Sequence, residues 1–264
     1  MTSFETLTLE IDDGLAVVTL DRPDAGNSMI AAFFDDFGAL ADDLTARGRE
    51  IRAVLVRSTG RFFSVGGDVG MFAARIDELP AAVFAGTRAM HPALARLARL
   101  DAPIVAAVQG TAMGGAVAML STFDLVVSAR SARFGAAYSQ LGLSLDLGAS
   151  FGLASRMGIA RARRFLLLGE VLDAEAAERV GLVDEVVDDD ALADTALALA
   201  RRLSAGPTRA YGEVRRLLAQ ALRTPFETQL EEEAHGLART GATRDGREGI
   251  TAFMEKRAPV FRGE

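Results

Sequence analysis

The chain has 264 residues, 50% of them hydrophobic and 25% charged, and a formal net charge of −7. It holds no Cys, no Trp, two His and a single Lys, Lys256, so zinc-finger, iron–sulfur, disulfide and thiol-nucleophile chemistry fall away. The acidic balance disfavours nucleic acid, and no run approaches the roughly 20 apolar residues of a membrane span, so a soluble, cytoplasmic protein with neither partner is expected.

Residues 6–11 and 15–20 are rich in β-branched residues and flank Asp12-Asp13-Gly14, which predicts an antiparallel hairpin. From about Ile30 to Arg47, Phe33, Phe34, Phe37, Leu40 and Leu44 recur with helical spacing until Gly48 stops the run. Residues 53–56 are wholly apolar, the pattern of a strand covered on both faces, and a turn-rich stretch follows to Asp68. A helix over about 81–100, a second buried strand at 104–108, a short helix at 116–120 and a third strand at 124–128 come next. Strands alternating with helices predict an α/β fold with a partly parallel sheet. Beyond about Arg156 the strand signals fade, and the remainder reads as helices, including 190–203, 208–222 and 225–238.

Two glycine-rich turns each follow a buried strand: Arg61 to Val69 (RFFSVGGDV) after the first, and Gly110 to Gly115 (GTAMGG) after the second. Glycine lets a backbone N–H approach a ligand with no Cβ in the way, and a helix start adds unpaired N–H groups. Two such donors on one oxygen would form an oxyanion hole, although tight strand–helix turns use Gly for purely structural reasons as well. Neither turn carries the dinucleotide pattern or the Gly-Lys-Ser/Thr of a phosphate loop.

With these turns, LDRPDAGNSM, GRFFSVGGDVGMF, APIVAAVQGTAMGGAVAML, DLVVSARSARFG and REGITAFMEKRAPVF, in this order, resemble the crotonase (enoyl-CoA hydratase/isomerase) superfamily along nearly the whole chain. The resemblance implies a spiral of ββα turns over residues 1–200 and a helical oligomerisation region over 201–264, with trimers or dimers of trimers. It implies an acyl-CoA thioester substrate, with coenzyme A entering as part of that substrate and no permanently bound cofactor or metal. It places the oxyanion donors on the N–H groups of Gly67 and Gly115. Substrate and coenzyme A contacts are expected from Ala25, Ser64, Gly66, Asp68, Val69, Gly114, Tyr138, Phe253 and Lys256. Many relatives carry a basic residue where this chain has Asp24, so one phosphate contact is expected to be missing.

The departures from the hydratase pattern are informative. That pattern's two Glu positions fall on Ala118 and Tyr138, neither of which exchanges a proton readily near neutral pH. One acid remains nearby: Asp146, flanked by Leu143, Leu145 and Leu147, surroundings that favour a raised carboxyl pKa. A turn or helix-capping Asp is the structural alternative. An Asp followed by Gly at this point resembles the proton-shuttling acid of ring-epoxide isomerases of phenylacetyl-CoA catabolism and of some dienoyl-CoA isomerases. The expected reaction is therefore an isomerisation in which Asp146 moves a proton while Gly67 and Gly115 hold an enolate oxygen, shifting a double bond or rearranging a ring epoxide.

Three alternatives stand beside it. They are a hydratase using Asp146 and a bound water, a non-catalytic acyl-CoA-binding homologue, and a serine hydrolase built on the G-x-S-x-G at Ser150 with Asp184 and His235. Structural readings are expected for Asp68, as a turn anchor, and for His91 beside Pro92, as a helix-end or surface residue. Met71 and Phe72 read as pocket wall or core, and Arg161, Arg163 and Arg164 as an exposed helix face that could also attract phosphates.

Overall fold

The computed structural model of the protein describes residues 2–264. Strands β1 (Thr2–Ser3), β2 (Leu7–Asp12) and β3 (Leu15–Leu20) form an antiparallel start, with Leu7 opposite Leu20 and Asp12 opposite Leu15. The turn between β2 and β3 puts Asp13 at φ 43° and Gly14 at φ 78°, the two positive values that suit a tight hairpin. Helix α1 (Ala31–Arg47) then crosses to β4 (Ala53–Ser58), which pairs parallel with β3.

Two further crossovers extend the sheet. Helices α2 (Val69–Ala74) and α3 (Leu79–Leu97) lead to β5 (Ile104–Val108). The short strand β6 (Thr111–Met113) and helix α4 (Gly115–Ser121) lead to β7 (Leu125–Ala129). Among the described residues the main sheet has the order β1-β2-β3-β4-β5-β7 and ends on β10 (Glu185–Val187), parallel to β7. A smaller sheet joins β6, β8 (Arg133–Gly135) and β9 (Val171–Asp173). No strand is expected beyond Arg156, yet β9 and β10 lie there. At three residues each they are too short to display an alternating pattern, and their pairing partners define them.

Alternation along β5 divides the interior in two. Ile104, Ala106 and Val108 face a large core with α1 and α3, whereas Val105 and Ala107 face Leu192, Ala196 and Ala200 of α8 (Leu192–Ser204). On α1 the buried face is Phe33, Phe37, Leu40, Ala41 and Leu44, close to the helical stripe read from the sequence. The remaining helices are α5 (Ala149–Met157), α6 (Ile159–Leu167), α7 (Ala174–Arg179), α9 (Thr208–Ala221), α10 (Phe226–Gly241) and α11 (Arg244–Glu255). No helix among the described residues is long and apolar enough to cross a membrane.

Gly110, just past β5, sits at φ 63°, and a Cβ there would overlap the Arg61 carbonyl oxygen. A positive φ on a non-Gly residue already costs about 1–3 kcal/mol. Gly110→Ala is therefore expected to destabilise the protein by about 2 kcal/mol or more, read as a lowered urea midpoint with an unchanged slope.

Candidate active site

The segments leaving β4 and β5 are fastened to each other. Asn27, at φ 51°, donates from Nδ2 to the carbonyls of Thr59 and Phe62 and accepts the Arg22 N–H on Oδ1, which shapes the first loop. Ser64 is fully buried; its hydroxyl donates to the Asn27 carbonyl and accepts the Gly66 N–H. The Ser64 N–H donates to Thr111 and the Met113 N–H donates to Ser64, a parallel bridge between the loops. At φ 82°, Gly66 comes so close that a Cβ would overlap the Met113 carbonyl oxygen and stand 3.3 Å from the Gly115 nitrogen.

This approach brings the two candidate donors together. Met29 N–H donates to Gly66 and Asp68 N–H donates to Met29, so Gly67, between them, turns its own N–H to the opposite side. Gly115 begins α4, where N–H groups have no partner within the helix. Both residues line a cavity of about 250 Å³, together with Gly114, Tyr138 and Asp146. Its other walls are mostly apolar and include Phe34 of α1, Val69 and Phe72 of α2, Val83 of α3, and Leu141, Leu143 and Leu145.

Tyr138 follows Ala137, itself at φ 51°, and donates its hydroxyl to Asp146 Oδ1 at 2.6 Å. Burial, and then the neighbouring Asp146 charge, push the Tyr138 phenol far above its ordinary value, so it is a neutral donor. Asp146 is not the cap of α5. That helix starts from Gly148 at φ 82° with no side-chain cap, and only the backbone carbonyl of Asp146 accepts the Ala149 N–H. Ala118 is fully buried within α4 and is not part of the cavity wall.

The other expected site residues divide. Val69 and Gly114 line the cavity; Ser64 and Gly66 do not line it and shape the turn that carries Gly67; Asp68 caps α2 by accepting the Met71 N–H at 2.9 Å, the anchoring role expected of it. Ala25, Phe253 and Lys256 are exposed and outside the cavity wall. Arg161 and Arg164 pair with Glu170. The serine-hydrolase constellation is overturned: Ser150 and His235 are exposed on α5 and α10, while Asp184 accepts from the Val126 N–H and pairs with Arg156. No hydrogen bond links the three among the described residues.

One residue gains a contact that spacing did not suggest. His91 is exposed, as expected, but it lies inside α3 and its Nε2 accepts the Leu147 N–H at 3.3 Å, across 56 positions of sequence. The only cue was its rarity, as one of two His.

The family model described as enoyl-CoA hydratase/isomerase matches residues 10–264. The chain belongs to this family. A probable enoyl-CoA hydratase of Rhodobacter capsulatus is 36% identical over 261 residues, covering 99% of each chain. The 1,2-epoxyphenylacetyl-CoA isomerase of Escherichia coli is 37% identical over 266 residues, 98% of this chain and 99% of that one. A crystal structure of an enoyl-CoA hydratase/isomerase from Cupriavidus metallidurans, 28% identical, superposes with a TM-score of 0.90 over 100% of this chain and 98% of that one. The crotonase fold is thus shared, and family membership agrees with an acyl-CoA substrate.

Tyr138 and Tyr211 are the chain's two tyrosines. Because the folded state raises the Tyr138 phenol, Tyr138 stabilises the fold below the ordinary phenol pKa of about 10, and that contribution fades as pH rises above it. In a Tyr211→Phe background, phenolate absorbance is expected to stay absent through pH 10–11 and to emerge only as the protein unfolds. A titration centred near pH 10 in the folded protein would contradict this.

Proposed function

We propose that the protein is an acyl-CoA isomerase that holds a thioester enolate between the N–H groups of Gly67 and Gly115 and moves one proton with Asp146. The observation that carries this reading is that, among the described residues, Asp146 is the one acid lining the cavity that holds both glycines. Two donors aimed at the developing oxyanion would each contribute about 3 kcal/mol in the transition state. Removal of an α or γ proton by Asp146 leaves the electron pair delocalised onto the thioester oxygen, and return of the proton to a different carbon completes a double-bond shift. In a ring epoxide, the same enolate chemistry accompanies opening of the strained ring.

Hydration is the less suited reaction. It calls for a group to activate water besides one to handle the α-carbon proton. Of the two hydratase carboxylate positions, Ala118 has no titratable group and Tyr138 is a phenol that keeps its proton and spends it on Asp146. The relative named 1,2-epoxyphenylacetyl-CoA isomerase supports isomerisation, and the apolar cavity of about 250 Å³ suits a compact, ring-sized acyl group. A homotrimer or dimer of trimers fits the exposed apolar side chains on α9, just after it and on α10, among them Leu218, Leu222, Phe226 and Leu237.

Asp146→Asn is expected to lower turnover at least about a hundredfold while acyl-CoA binding by calorimetry is retained. Tyr138→Phe should cost about tenfold, the worth of one hydrogen bond to a charged group. A spectrophotometric panel of 3-enoyl-, 2-enoyl-, dienoyl- and ring-epoxide acyl-CoAs should show isomerisation without hydration. An active Asp146→Asn protein, or net hydration of 2-enoyl-CoA as the dominant reaction, would overturn the assignment.

A further inference from the structure

Between Gly142 and Gly148 the chain that carries Asp146 belongs to no helix or strand. Its backbone is tied locally only at its ends, where Leu143 N–H donates to Tyr138 and Ala149 N–H to the Asp146 carbonyl. Within it, Leu147 stands at φ 49°, a conformation that a branched side chain leaves unless its surroundings hold it there.

Two restraints act on Leu147 itself. Its side chain is buried and packs on the oxyanion-donor segment: a Cβ on Gly115 would lie 3.2 Å from Leu147 Cδ1. Its N–H donates to His91 Nε2 at 3.3 Å. His91 is a firm anchor because its neighbours Met90, Ala93 and Leu94 bury α3 against the core shared with α1. An Nε2 that accepts a hydrogen bond carries no proton, so the ring acts here in its neutral form with the proton on Nδ1.

We propose that His91 is a positioning residue for the reaction above, and the inference rests on that reading. By holding the Asp146–Leu147 peptide to α3, His91 fixes the distance between the Asp146 carboxylate and the Gly67 and Gly115 donors. Removal of the imidazole leaves the N–H of a buried residue without its partner and frees Leu147 to relax out of its positive φ. That rotation carries Asp146 away from the cavity, and a displacement of about 1 Å at a reacting group is worth roughly a hundredfold in rate.

The test compares wild type, His91→Leu, His91→Gln and Asp146→Asn, using the panel acyl-CoA with the highest wild-type turnover for kinetics and backbone amide exchange at Leu147 as a readout independent of activity. His91→Leu is expected to lower kcat tenfold or more with KM changed less than about threefold, and to speed Leu147 exchange at least tenfold at an unchanged Tm. His91→Gln, whose Oε1 can replace Nε2 as acceptor, is expected to restore both. Wild-type kcat or wild-type exchange in His91→Leu, or failure of Gln to restore them, would overturn the proposal while leaving the role of Asp146 intact. Full activity in Asp146→Asn would instead remove the proposed function, and the kinetic part of this inference with it.

Discussion

The site depends on one close approach of backbone to backbone, the parallel bridge that joins Ser64 to the Thr111–Met113 segment. Gly66 and Gly110 have no Cβ where the Met113 and Arg61 carbonyls pass, and both occupy the positive φ that such crossings demand. The bridge merges two loops, from two parallel strands, into one surface. Gly67 is turned outward by its bonded neighbours and Gly115 stands at a helix start, so unpaired N–H groups result from the topology itself. Ligand sites at the carboxyl ends of parallel strands follow the general behaviour of open α/β sheets.

A carboxylate reaches the cavity from a third direction. Asp146 comes from the segment between Gly142 and Gly148, which has no helix or strand and follows a 3-10 turn at Tyr138–Leu141; Ala137 and Leu147 stand at positive φ, and three contacts define the segment. Tyr138 holds the carboxylate, Gly115 receives the Leu147 side chain, and α3 supplies the His91 imidazole. A neutral phenol beside a carboxylate suits a proton shuttle, because the phenol stabilises the charge without competing for the proton. The rest of the cavity is mostly apolar, which strengthens the Tyr138–Asp146 hydrogen bond.

Much of the framework was legible in the sequence. The apolar runs at 53–56 and 104–108 are strands buried on both faces, the helical stripe from Phe33 to Leu44 is the buried face of α1, and Asp12-Asp13-Gly14 makes the hairpin turn. These signals survive because local periodicity and turn chemistry agree with the global fold. Strands β9 and β10 left no trace, since three residues carry too few alternating positions. The serine triad was suggested by a G-x-S-x-G motif at Ser150 and by the order of Ser150, Asp184 and His235 along the chain, and neither says whether three side chains converge.

Sequence alone determined the inventory: no thiol, one Lys, glycine turns after two buried strands, a missing pair of Glu, and Asp146 among leucines. It also determined the family, because motif order along the whole chain is a one-dimensional property. Only the tertiary structure decided that Tyr138 bonds Asp146, that Phe34 and Val83 of two helices wall the same cavity as Gly67, and that His91 reaches Leu147. Tyr138 and Asp146 are eight positions apart in an irregular segment, and the other contacts join residues dozens of positions apart through crossovers whose packing sets the distances; no local pattern records a distance of either kind.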